Sequence, residues 1–154
     1  MRVEKDYEEL LRLLNKHKAK YCIVGSYAVA FYAKPRYTKD IDILIEATPR
    51  NGKKLKKALD EFGFKELELS ELDFIQKGNI IQLGYEPVRI DILISLQGFD
   101  FKDIWENRVE GAYGREKVYF MGLDDLIKSK LLSRRVEDKI DLEVLRQAKK
   151  KPGS

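Results

Sequence analysis

Tyr21-Cys22-Ile23-Val24-Gly25-Ser26 and, thirteen residues later, Asp40-Ile41-Asp42-Ile43-Leu44-Ile45-Glu46 decide how this chain folds. The first stretch is an apolar run that ends in a small polar pair, which reads as a short buried strand entering a turn. The second opens as a strict alternation of acid and apolar residue and reads as a strand over 40–46. Between them, residues 26–33 form a short buried helix closed by Lys34-Pro35, because the residue before a proline avoids the helical region. A basic, polar connection follows over 34–39. Upstream, Tyr7, Leu10, Leu11 and Leu14 recur at helical spacing and predict an amphipathic helix over 4–19. Downstream, Thr48-Pro49 marks a helix start. Leu55, Ala58, Leu59 and Phe62 form its apolar face, and Gly63 is its stop.

Residues 64–96 are β-rich, with strands expected over 73–76, 80–85 and 88–96. A short helix is expected over 102–107 and a last short strand over 117–120. From Leu123 the pattern is helical, with a break near Arg135-Val136. This order implies an α+β chain: a mixed β-sheet with flanking helices and a C-terminal helical segment. The expected division is a core over 1–121, a helical segment over 122–150 packed on it, and a frayed tail over 151–154.

Composition narrows the function classes. Lys and Arg number 30 against 26 Asp and Glu, a net charge of 30 − 26 = +4, and 36% of the 154 residues are charged. That balance permits a polyanionic partner without demanding one. Cys22 is the single cysteine, so no intrachain disulfide forms, and its apolar surroundings read as a buried strand thiol in a reducing compartment. The charged start of the chain lacks the apolar stretch of a signal peptide. The longest uninterrupted apolar run, Tyr27 to Ala33, is far short of the ~20 residues a membrane span needs. A cytoplasmic protein without membrane contact is expected. With one histidine, His17, neither a Ser-His-Asp arrangement nor a zinc cluster is credible. His17 itself reads as solvent-facing, Lys53, Lys54, Lys56 and Lys57 as a solvated helix face, and Trp105, Tyr113 and Tyr119 as core or rim.

The chemistry lies in three acids. Residues two apart on a strand point to one face, so Asp40 and Asp42 project together while Ile41 and Ile43 enter the core. Two adjacent carboxylates repel, and a cation relieves them; Mg²⁺ takes carboxylate and phosphate oxygens. Asp91 is the lone acid in the apolar stretch Val88-Arg89-Ile90-Asp91-Ile92-Leu93-Ile94. If that strand lies beside the 40–45 strand, three carboxylates converge, enough for two ions or for one ion and a base. Taken alone, Asp-x-Asp equally suits a strand edge on a solvated face. The Gly25-Ser26 turn offers backbone N–H groups and a hydroxyl to a phosphate. Taken alone, it equally suits an ordinary helix start with Ser26 as N-cap.

Apolar-Gly-Ser, thirteen residues, Asp-apolar-Asp, and a later Asp in an apolar strand together resemble the signature of the nucleotidyltransferase superfamily related to DNA polymerase beta. The match spans residues 23–94. The resemblance implies the nucleotidyltransferase fold, with Gly25 and Ser26 holding a nucleoside triphosphate, ATP among the candidates, and Asp40, Asp42 and Asp91 binding one or two Mg²⁺ ions. Arg36 and Thr38, in the run Arg-x-Thr-x-Asp-x-Asp, resemble nucleotide-binding positions of the small standalone members; the guanidinium suits phosphate. The C-terminal run Asp125-Leu126-Ile127, Lys130, Arg135, Asp138, Asp141 resembles AbiEii-like minimal nucleotidyltransferases. That likeness implies a catalytic Lys130 and a nucleotide-binding Asp141. Against it, Lys130, Arg134, Asp138 and Asp141 are spaced as an ordinary ion-paired helix face would be.

The implied reaction moves a nucleoside monophosphate from an NTP to a hydroxyl acceptor: a tRNA end, a protein or a small molecule such as an aminoglycoside. The alternatives are a binding module of the same fold, antitoxin-like, partnering a second protein of a toxin–antitoxin pair, or an Mg²⁺-dependent phosphohydrolase. The hydrolase would leave the Gly-Ser turn unexplained.

Overall fold

The computed structural model describes residues 3–33, 40–65, 68–85, 88–133 and 135–150. The apolar stripe of α1 (Lys5–Lys16) buries Tyr7, Leu10, Leu11, Leu13 and Leu14. β1 (Tyr21–Val24) is buried at every position, and the chain passes from it directly into α2 (Gly25–Tyr32). In β2 (Asp40–Ile45), Ile41, Ile43, Leu44 and Ile45 are buried, whereas the two acids are half-buried.

Pro49 opens α3 (Pro49–Leu59), and Thr48 caps it, its hydroxyl accepting from the Asn51 N–H at 3.2 Å. Asn51 is buried and joins this helix start to the end of β2 and the start of β1. Its side-chain oxygen accepts from the Lys20 N–H at 2.8 Å. Its amide donates to the carbonyls of Lys20 at 3.1 Å and Glu46 at 2.9 Å. A π-turn over Asp60–Phe64 ends the helix where Gly63 takes φ of +111°, a conformation open to glycine.

The remaining elements are β3 (Ile80–Tyr85), β4 (Val88–Leu93), α4 (Phe101–Glu106), β5 (Val109–Tyr113), β6 (Glu116–Phe120), α5 (Leu123–Leu132) and α6 (Val136–Lys150). The strands form one six-stranded sheet in the order β3-β4-β2-β1-β6-β5. β2 runs parallel to β4 and antiparallel to β1, and β1 runs parallel to β6. The two outer pairs are antiparallel. The mixed sheet with flanking helices is the α+β architecture expected. α5 and α6 pack on each other and on α2. Among the described residues no helix is long and apolar enough to cross a membrane.

Three expectations need correction, and one strand, β5, was not expected. Residues 71–74 form a 3₁₀ turn, where a strand was expected over 73–76. Its capping box joins Ser70 and Asp73 and seats Phe74 in the core, a local bond pattern that outcompetes a ladder. β4 stops at Leu93, short of residue 96. β5 carries no clean alternation, and its partner β6 alone supplies its pairing. His17 is only partly solvent-facing: its ring lies 2.8 Å from Glu61 Oε1 and its side chain is 17% exposed. Cys22 is a buried strand thiol, its pKa pushed up to about 12 by burial.

Candidate active site

Parallel pairing of β2 with β4 places Asp40 opposite Arg89 and Asp42 opposite Asp91. Residues two apart on a strand share a face, so these four side chains form a square on one face of the sheet. Three corners are acidic and one is basic. Asp42 also pairs with Val24, the residue before Gly25, so the β1–α2 corner borders the acids.

Arg89 settles part of the repulsion. Its Nη2 donates to Asp40 Oδ2 at 2.8 Å and to Asp91 Oδ2 at 3.1 Å. The Arg89 carbonyl accepts from the Tyr7 hydroxyl at 2.9 Å, which ties this strand to α1. Arg89 was absent from the sequence-derived site. The signal was present, since it precedes Asp91 by two and therefore shares its face, but only the β2–β4 register shows that it also faces Asp40. Arg89 thus stands at the fourth corner of the square, paired with both Asp40 and Asp91. Among the described residues no three His, Cys, Asp or Glu side chains are grouped to hold a metal.

Asp42 carries the remaining strain. Burial, then the charges of Asp91 and Asp40, push its pKa up to about 6; the positive charges of Arg89 and Lys130 oppose this and do not prevail. Asp91 is buried, and among the described residues its Oδ1 has no hydrogen-bond partner. Leaving such an atom unmet costs about 1–3 kcal/mol, more for a charged group. Gly25 has φ of +68°, and a Cβ there would collide with the Asp42 carboxylate. The bare backbone at Gly25 therefore lies directly against Asp42. An orphaned carboxylate oxygen, a second carboxylate with a raised pKa and a side-chain-free corner all suit a divalent cation carrying phosphate.

Ser26 lies within the first turn of α2, and Val24 holds the N-cap position, so the N-cap reading of Ser26 is corrected. Lys130 departs from the single ion-paired helix face. α5 ends at Leu132 and α6 begins at Val136, so the ion pairs cross between two helices. Lys130 Nζ lies 2.9 Å from Asp138 Oδ1 and 3.3 Å from Asp141 Oδ2; both acids are buried and the lysine is partly buried. Ser133 also donates to Asp138, and Arg135 pairs with it at 3.2 Å. The cluster is near enough for the Lys130 charge to act on Asp42. Arg36 and Thr38 lie outside the described residues.

Comparison with known proteins agrees with this architecture. Among curated proteins no sequence match is found. The lincosamide antibiotic adenylyltransferase LnuA, solved with lincomycin bound, superposes with a TM-score of 0.59 at 17% identity, covering 94% of this chain and 97% of its own. A Thermotoga maritima protein assigned as a nucleotidyltransferase gives 0.62 at 17% identity, over 95% of this chain and 94% of its own. An antigenic nucleotidyltransferase-like protein from Paracoccidioides brasiliensis gives 0.57 at 12% identity, over 93% and 74%. Likeness at these identities establishes the fold. A family model matched over residues 1–148 establishes kinship: the chain belongs to the family described as nucleotidyltransferase of unknown function, DUF6036.

Proposed function

We propose that this nucleotidyltransferase moves a nucleoside monophosphate from an NTP to a hydroxyl acceptor, with Asp40, Asp42 and Asp91 at the reacting centre. The observation that carries the reading is the register of Asp42 against Asp91 beside the bare Gly25 corner. The three acids would hold Mg²⁺, Asp40 joining as it exchanges its Arg89 partner. When bound, the ion neutralises the triphosphate and polarises the α-phosphate.

The chain's own groups supply the rest. Backbone N–H groups at Gly25 and Ser26, at the start of α2, bind and orient the phosphates. Lys130, fixed by Asp138 and Asp141, adds positive charge toward the same space. Asp91 takes the proton of the acceptor hydroxyl through Oδ1. The acceptor oxygen bonds to the α-phosphorus, the α–β bridging P–O bond breaks, and pyrophosphate leaves. LnuA, an adenylyltransferase acting on a small antibiotic, shares the fold over nearly the whole chain, and this supports a small-molecule hydroxyl as the acceptor.

The test is label transfer from each α-³²P NTP with Mg²⁺ to a panel of hydroxylated small molecules, to tRNA and to the protein itself. The Asp40→Ala/Asp42→Ala variant is the control. Label moved by wild type and not by the variant supports the proposal, and the labelled species identifies the acceptor. Intact Mg²⁺·NTP binding with no label on any acceptor overturns it in favour of a binding module.

A further inference from the structure

The outer face of α6 carries a row of apolar side chains that this chain does not cover. Val136, Ile140 and Val144 are 68%, 60% and 38% exposed and stand four residues apart. The opposite face of the helix buries Asp138, Asp141, Leu145 and Ala148, so the helix is already anchored and the row is surplus to its packing. Leu131 and Leu132, at the end of α5, are also exposed, 55% and 57%, with Leu132 beside Gly98. Among the described residues, five of the nine large exposed apolar side chains belong to these two helices. Clustering of that kind marks an interaction surface, whereas scattered single residues do not.

Charge selects the occupant. A row at four-residue intervals packs in the manner of ridges into grooves. Lys139 and Glu143 lie along one flank of the row, four residues apart and opposite in sign. A second α6 laid antiparallel, with its twofold axis level with residue 141, sets Lys139 of each copy beside Glu143 of the other. The same axis places Val144 between Ile140 and Val136 of the second copy, so the apolar rows interleave. One register satisfies both requirements, which is the self-complementarity a twofold interface needs. Glu143 in the single chain accepts from Gln147 at 3.0 Å, an exposed contact that is readily exchanged.

We propose that the outer face of α6 binds a second copy of this chain, antiparallel and twofold-symmetric, through Val136, Ile140 and Val144, with reciprocal Lys139–Glu143 pairs fixing the register. The inference is independent of the proposed reaction, and its test reads mass rather than turnover. Sedimentation equilibrium of the full chain across roughly 1–200 µM, chosen to bracket a micromolar dissociation constant, should show a monomer–dimer equilibrium. Ile140→Glu should shift the dissociation constant at least tenfold toward monomer, with an unchanged circular dichroism spectrum. Lys139→Glu and Glu143→Lys should each weaken the dimer, and the double exchange should restore it, because only the reciprocal pairing recovers both contacts. A wild-type monomer at the top concentration overturns the proposal. So does a dimer indifferent to Ile140→Glu, or one that the double exchange fails to restore.

Discussion

Asp42 is held ionised against its surroundings. Burial and the neighbouring Asp91 and Asp40 raise its pKa to about 6, above the value near 4 of an unfolded chain. A carboxyl whose folded pKa is raised destabilises the fold once both states ionise, so in metal-free protein the penalty grows as pH rises from about 4 to above 6. Asp42→Asn is therefore expected to stabilise the metal-free protein by on the order of 2 kcal/mol at pH 8, and the gain should vanish below about pH 4. Urea unfolding with EDTA at both values checks this. Gly25 makes the opposite case. Gly25→Ala adds a Cβ where the Asp42 carboxylate stands, at a φ of +68°. A loss of about 2–3 kcal/mol is expected from strain and displacement together, with label transfer falling at least tenfold. An alanine variant of full stability and activity would show that the corner does not need bare backbone.

At the scale of elements, α5 and α6 are joined by a buried ionic cluster as well as by apolar packing. Burial opposes ionisation of Asp138, but hydrogen bonds from Ser133 and Lys130 and the charges of Lys130 and Arg135 outweigh it and hold its carboxyl below the usual range. With its folded pKa lowered, Asp138 stabilises fully above the unfolded value and loses that contribution as pH falls through the folded one. Asp138→Asn should cost about 2 kcal/mol at pH 7, since Asp141 still pairs with Lys130, and the difference from wild type should close as pH falls well below 4. Thermal melts over a pH series measure it; a pH-independent difference would mean that packing, not charge, unites these helices. The 3₁₀ turn at 71–74 and strand β5 show how elements escape a linear reading. Both are short, and each is decided by a partner: a capping box for the first and the neighbouring β6 for the second.

Across the whole molecule, ligand and fold are linked. A ligand that binds only the folded chain adds about 2.7 kcal/mol at one hundred times its dissociation constant. For a domain of this size that is a rise in Tm of roughly 5–10 °C. Mg²⁺·NTP should produce it in wild type and not in Asp40→Ala/Asp42→Ala, as read by scanning fluorimetry; an equal rise in both would place the nucleotide elsewhere. The sequence by itself determined the two strands around the Gly-Ser turn, the shared face of Asp40 and Asp42, the buried Cys22 and the helical end of the chain. Those follow from periodicity, which acts over a few residues. Only the tertiary structure decided that Asp91 stands level with Asp42, that Arg89 fills the fourth corner, and that Lys130 meets Asp138 and Asp141 across two helices. Such pairings join residues far apart in the chain, and their register is set by the packing of the whole sheet, which no local pattern encodes.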